Sequence, residues 1–189
     1  ARRIPYRAAA PRKSEAMFLD EMPEGFRYPQ PEDEQDKQLL ARIERQGWHH
    51  LSVDGAAGEP GYAFTLGHFL KRDHPELIVV GLKDTLASRL LDSAAVGITG
   101  LGRRLRPFQV YGDIADGLEV VFLPVALPAY NEYLGYANWF YADLPAPYPA
   151  LQMVWPDPNG VFPWQPGYDA RFRRAQPLLG EAPEGPPLQ

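Results

Sequence analysis

Fourteen residues, Leu151-Gln-Met-Val-Trp-Pro-Asp-Pro-Asn-Gly-Val-Phe-Pro-Trp164, join an apolar run to a sharply specified turn and two tryptophans. Pro156 and Pro158 fix φ, Asp157 and Asn159 bond back to their own backbone, and Gly160 has no Cβ to forbid positive φ. The chain must therefore reverse here. The flanks LQMVW and GVF read as two strands, or as a strand and a rim. A turn this rigid fixes the local path of whatever sheet it ends.

The remainder is ample for one core. The 189 residues are 45% hydrophobic and 23% charged, which sets one globular domain as the expectation. No run of eighteen apolar residues and no leader-like stretch is visible, so the composition predicts a cytoplasmic protein. With no cysteine, the described chemistry cannot use disulfides, thiolate nucleophiles, cysteine-held iron–sulfur clusters or cysteine zinc sites. A net charge of -5 argues against nucleic acid as partner, since phosphate contact needs a positive field. Two local basic clusters, Arg103, Arg104 and Arg106, then Arg171, Arg173 and Arg174, read as solvated faces or ion-pair partners.

Proline and charge set off both ends. Residues 1–31 contain Pro5, Pro11, Pro23, Pro29 and Pro31 among scattered apolar side chains, an N-terminal extension rather than core, and 180–189 resembles it. Residues 32–179 form the expected domain. Pro31-Glu-Asp-Glu opens a helix, with acids at its positive end and Leu39, Leu40 and Ile43 on one side, to about Gln46. Trp48–Val53 and Tyr62–Leu66 read as a hairpin-like pair, and Pro75 launches ELIVVGL, a run suited to a strand buried on both faces. Asp84 is expected to cap a helix closed by Gly97 and Gly100. Arg106–Tyr111 and Leu118–Val125 read as strands around a GDIADG turn. Pro128 then starts a helix whose Tyr130, Tyr133, Leu134, Ala137 and Tyr141 share one side. With LQMVW last, the order predicts an α+β fold: a mainly antiparallel sheet, open or curled into a barrel, with about three packed helices.

The segments GWHHLSV, YAFTLG, HPELIVVGL, YLGYANWFY and LQMVWPDPNGVFPWQPGYDARFRRAQPLL, in that order, resemble the bacterial family of domain of unknown function 4262, over residues 33–180. That resemblance carries over no catalytic residue and no cofactor to named positions, because the family has no settled biochemical role. FTLGHFLKRDHPELIVVG is also similar in layout to flavin-binding split barrels. This second likeness is one of arrangement only, and it implies FMN or a nucleotide with its phosphate at Thr65, Gly67 and His68.

Each candidate residue has a plain structural reading beside its functional one. His49, His50, His68 and His74 are close in sequence, but alternation sends His49 and His50 to opposite faces and no HExxH pair exists, so no metal site is expected. Thr65-Leu-Gly67-His68 can end a strand in an ordinary turn, or can present a hydroxyl and amides to a phosphate. GITGLGRR lacks the strand and the lysine of a phosphate loop. No GxSxG elbow surrounds Ser14, Ser52, Ser88 or Ser93, and Asp113, Asp116 and Asp157 stand in turn contexts. The aromatic content is the larger reserve. Tyr133, Tyr141 and Phe162 are expected to fill the core, whereas Tyr136, Trp139, Trp155 and Trp164, bordered by Arg171, are expected to form a partly exposed binding surface.

Three functional readings stay open. The first is a non-catalytic accessory or binding protein that engages a protein partner, or a second copy, through that aromatic surface. The second is a flavin- or nucleotide-binding enzyme of split-barrel type. The third is an immunity-type inhibitor of a toxin.

Overall fold

The structure, a computed structural model, describes residues 22–184. Most of the expected N-terminal extension, 1–21, and the end of the C-terminal tail, 185–189, lie outside the described residues.

Helix α1 (Glu34–Gln46) begins where Asp33 adopts extended backbone and its carboxylate accepts the Asp36 N–H at 2.8 Å. That bond satisfies one of the amides a helix start leaves unpaired. The hairpin follows as β1 (His49–Val53) and β2 (Tyr62–Leu66), antiparallel in register from His49 opposite Leu66 to Val53 opposite Tyr62. A five-residue helix, α2 (His68–Arg72), was not anticipated; it fills the connection to β3 (Glu76–Val80). Helix α3 (Asp84–Leu101) passes through Gly97 and Gly100 and stops at Gly102. Lys83, not Asp84, occupies the position before its first turn, and no side chain caps it.

Strand β4 (Val110–Ala115) starts later than the sequence suggests and absorbs most of the expected GDIADG turn. Gly112 and Asp113 are tolerated because β4 is an edge strand whose register shifts between Tyr111 and Ala115, and such irregularity belongs to edges. Strand β5 is Leu118–Pro124, and the helical run after it breaks at Leu134 into α4 (Tyr130–Tyr133) and α5 (Gly135–Phe140). Strand β6 (Ala150–Val154) comes last.

The six strands lie in the order β1-β2-β3-β6-β5-β4, parallel only between β3 and β6. The sheet is open, so the barrel alternative is set aside: β1 and β4 are the two ends and do not pair with each other. The apolar run ELIVV sits at the centre, buried at every position. One face, with Leu77, Val79, Val120, Phe122 and Met153, receives Leu90, Leu91 and Ile98 of α3. The other presents Phe64, Ile78 and Val80 to Leu39 and Ile43 of α1 and to Leu134 and Phe140 of the α4–α5 run. Beyond β6 on that same face, Val121, Leu123 and Val154 are covered by Phe162, with Trp164 and Leu178 beside it.

Two buried glutamines fasten the chain after β6. Gln176 accepts the Trp155 N–H at 2.9 Å and donates to the Trp155 carbonyl at 2.8 Å. Gln152 accepts from Leu179 N–H and donates to the Pro177 carbonyl, each at 2.8 Å. The WPDPNG turn forms as read: Asp157 Oδ1 accepts the amides of Asn159 at 2.8 Å and Val161 at 3.0 Å, while Oδ2 accepts that of Asp169 at 2.9 Å.

Candidate functional site

The residues of TLGH and HPEL converge at the end of the sheet on one carboxylate. Glu76 opens β3 and is fully buried. Its Oε2 accepts the Thr65 hydroxyl at 2.7 Å, and its Oε1 accepts the amides of Gly67 at 2.8 Å and Phe69 at 3.1 Å, together with the hydroxyl of Tyr141 from the end of α5. Thr65 Oγ1 in turn accepts the Leu77 N–H at 2.8 Å. Gly67 is required here: its φ is +105°, and a Cβ would stand 2.6 Å from the Gly47 carbonyl oxygen. Burial pushes the Glu76 carboxyl up, and the four donors pull against that. The Tyr141 phenol is held far above its ordinary value by burial and then by the Glu76 charge beside it.

The donors expected to meet a ligand phosphate, Thr65 and Gly67, thus meet the protein's own acid. His68 is equally enclosed, stacked on Trp48 with ring centroids 4.9 Å apart, and neither of its ring nitrogens has a hydrogen-bond partner among the described residues. Burial first, then the neighbouring His74 and Arg72, lower it to about 3. His74 is fixed in one tautomer: Nδ1–H donates to the Pro75 carbonyl at 2.7 Å and Nε2 accepts the Leu105 N–H at 3.0 Å. Burial lowers it to about 4. His49 and His50 do not separate to opposite faces as the alternation predicts: their rings stack with centroids 5.5 Å apart at the edge of the sheet, His49 reaching Arg42 of α1 and His50 reaching Asp92 of α3. No group of three or more metal-ligating acids or histidines occurs among the described residues.

The aromatic surface expected from sequence divides into three places. Trp155 packs on the α3 side of the sheet, with its indole N–H on the Val80 carbonyl at 2.9 Å. It also floors an open groove of about 520 Å³ shared with Leu118, Glu119, Pro156, Pro158 and Phe172. Trp164 lies on the opposite side, stacked on Phe162 at 5.2 Å. Arg171 is exposed and bound to Asp169 at 2.6 Å, while Arg103 and Arg104 pair with Asp113 and Asp73. The side-chain period of two along β6 separates Trp155 from Val154 and thereby from the Trp164 cluster.

Tyr136 and Trp139 do stay together. Their rings meet edge to face at 5.8 Å on α5, with Tyr136 45% exposed and Trp139 half-buried. The Tyr136 hydroxyl donates to Asp36 Oδ1 at 3.3 Å, and Asp36 Oδ2 accepts the Glu32 N–H at 2.9 Å. Burial, then Asp36, and then Asp33 and Glu32, raise the Tyr136 phenol; Asp36 is the acid at its hydroxyl, and Glu32 and Asp33 adjoin Asp36 through the Glu32 N–H and the Asp33 carboxylate. The two aromatics are legible in the sequence but their setting is not, because Asp36 sits 100 residues away in the first turn of α1. The result is one exposed and one half-buried ring with carboxylates alongside, an arrangement that attracts cations over a ring face.

No helix among the described residues is long and apolar enough to cross a membrane. A family model described as Domain of unknown function (DUF4262) matches residues 42–169. No curated protein and no solved structure matches the chain.

Proposed function

We propose that this chain, which belongs to the DUF4262 family, is a non-catalytic binding module that engages a basic segment of a protein partner through Tyr136 and Trp139. The observation that carries the reading is the edge-to-face pair of exposed Tyr136 and half-buried Trp139, with Asp36 at the Tyr136 hydroxyl and Asp33 and Glu32 adjoining Asp36. A guanidinium over an exposed ring gains about 0.5–1 kcal/mol, and nearby carboxylates add a salt-sensitive attraction. Glu76, Tyr141 and His68, whose protonation burial displaces, are sealed inside, where Glu76 and Tyr141 hydrogen-bond to each other and to the protein's own backbone rather than face a substrate. That supports binding over catalysis.

The test is titration of the full chain with a short peptide of arginine and proline, followed by the Trp139 indole N–H signal. The signal should move, the affinity should fall as salt rises, and Tyr136→Ala should weaken binding several-fold at unchanged thermal stability. An unmoved Trp139 signal sinks the reading. So does native mass spectrometry that finds a bound flavin-sized molecule with matching visible absorbance.

A further inference from the structure

The charge of this chain is unevenly placed. Residues 1–13 hold Arg2, Arg3, Arg7, Arg12 and Lys13 and no acid, a charge of +5 against -5 for the whole, leaving -10 on residues 14–189. Pro5 and Pro11 lie among those cations. Proline and arginine together suit an aromatic face: proline lowers the entropy of an extended segment, and guanidinium groups stack on rings and pair with carboxylates.

The chain also enters the described structure beside the Tyr136–Trp139 pair. Phe26 packs on Phe140 at 5.4 Å and on Tyr141 at 6.0 Å. Phe140 is the last residue of α5, one turn beyond Tyr136. Between Lys13 and Phe26 an extended chain spans up to about 40 Å, enough to return along α5. A tether of this length keeps a segment at an effective concentration of about the millimolar range, so a weak contact suffices to hold it.

Resting on the reading of Tyr136 and Trp139 as a binding surface, we infer that its resident occupant is the basic segment 1–13 of the same chain. The segment covers the aromatic pair in cis as a stand-in for the partner. An incoming basic partner must displace it. The acids Glu32, Asp33 and Asp36 are the counter-charges, and the contact weakens with salt.

The absence of cysteine permits a clean test. In the full chain, Ala8→Cys carries a nitroxide spin label, and the Trp139 indole N–H signal is followed by NMR. The expected result is loss of the Trp139 signal while that of Trp155, on the other side of the sheet, persists. The loss should be reversed in about 1 M salt, where the screening length is about 3 Å. It should also be reversed when Arg2, Arg3, Arg7, Arg12 and Lys13 are all changed to Gln. A mixture of spin-labelled, isotope-free chain with label-free, isotope-enriched chain should leave Trp139 unchanged. Broadening in that mixture would assign the contact to a second copy and overturn the proposal, as would no broadening in any sample. If the label leaves Trp139 untouched while an added arginine–proline peptide shifts it in the five-glutamine variant, the cis occupant is wrong and the binding surface stands. If neither affects Trp139, both fall.

Discussion

Thr65 and Glu76, eleven residues apart, meet at 2.7 Å, and the same threonine oxygen accepts the amide of Leu77 at 2.8 Å. One hydroxyl therefore satisfies a buried carboxylate and a strand amide together. Thr65→Val keeps the shape and removes both bonds. A buried polar group left unpaired costs about 1–3 kcal/mol, so the variant should lose about 2–5 kcal/mol in urea unfolding. Glu76→Leu should cost more, because the amides of Gly67 and Phe69 and the hydroxyl of Tyr141 lose their acceptor together. Glu76→Gln, which keeps an acceptor oxygen for them, should be the mildest of the three.

Two histidines make the fold sensitive to acid. His68 and His74 are lowered from 6.5 to about 3 and about 4, chiefly by burial. The unfolded chain binds their protons below about pH 6.5 and the folded chain does not, so their stabilisation is complete above that pH. It is lost as pH falls through about 6 toward 4 for His74 and toward 3 for His68, at up to about 1.4 kcal/mol per pH unit for each. Glu76 acts in the opposite sense: its raised carboxyl favours the folded state in acid, and that contribution fades as pH rises through its folded value. His68→Phe, which retains the stack on Trp48, should flatten the stability profile between pH 6 and 4. An unchanged profile by chemical denaturation would show that His68 is not held neutral.

What could be read from sequence is what depends on neighbours in the chain. The hairpin strand Tyr62–Leu66, the unbroken ELIVV and the WPDPNG turn are local codes, and each formed where it was expected. The failures came where tertiary packing overrode a local sign. Gly97 and Gly100 read as stops, yet α3 runs through both while Leu90, Leu91 and Ile98 bury against the sheet. Gly112 and Asp113 read as a turn, but an edge strand accepts them. The tryptophans were legible as residues and not as a surface, since which side of the sheet each one takes depends on strand order. Glu76 carried the one overlooked sign: an acid at the head of an apolar run must find several donors if it is to be buried.

The strap after β6 should fail at a single close approach. Gly81 has φ +83°, and a Cβ there would stand 1.8 Å from the Ala175 carbonyl oxygen. Overpacking costs about 1–3 kcal/mol and a left-handed L-residue about 1–2 more. Gly81→Ala should therefore lose about 2–5 kcal/mol and move Ala175 away from the sheet. Gln176 follows Ala175 and holds both backbone groups of Trp155, so the displacement should also alter Trp155. The check is joint: a lower unfolding midpoint together with faster hydrogen exchange at the Trp155 amide. Loss of stability with Trp155 protection intact would place the damage elsewhere.

The start of α1 separates folding from binding in one helix. Asp33 accepts the Asp36 amide at 2.8 Å as the cap, and Tyr136 reaches Asp36 from α5. Asp33→Ala removes the cap and should cost about 1 kcal/mol. Asp33→Asn preserves the cap and removes the charge, so stability should hold while the affinity for an arginine–proline peptide falls. Tyr136→Phe removes the bond to Asp36 but leaves the ring beside Trp139, and should keep most of that affinity. Tyr136→Ala removes the ring and should lose it. The order Tyr136→Phe, Asp33→Asn, Tyr136→Ala in declining affinity, at nearly constant thermal midpoint, is what ring-face recognition with acidic support requires. A Tyr136→Phe variant as weak as Tyr136→Ala would instead make the phenol hydroxyl the recognising group.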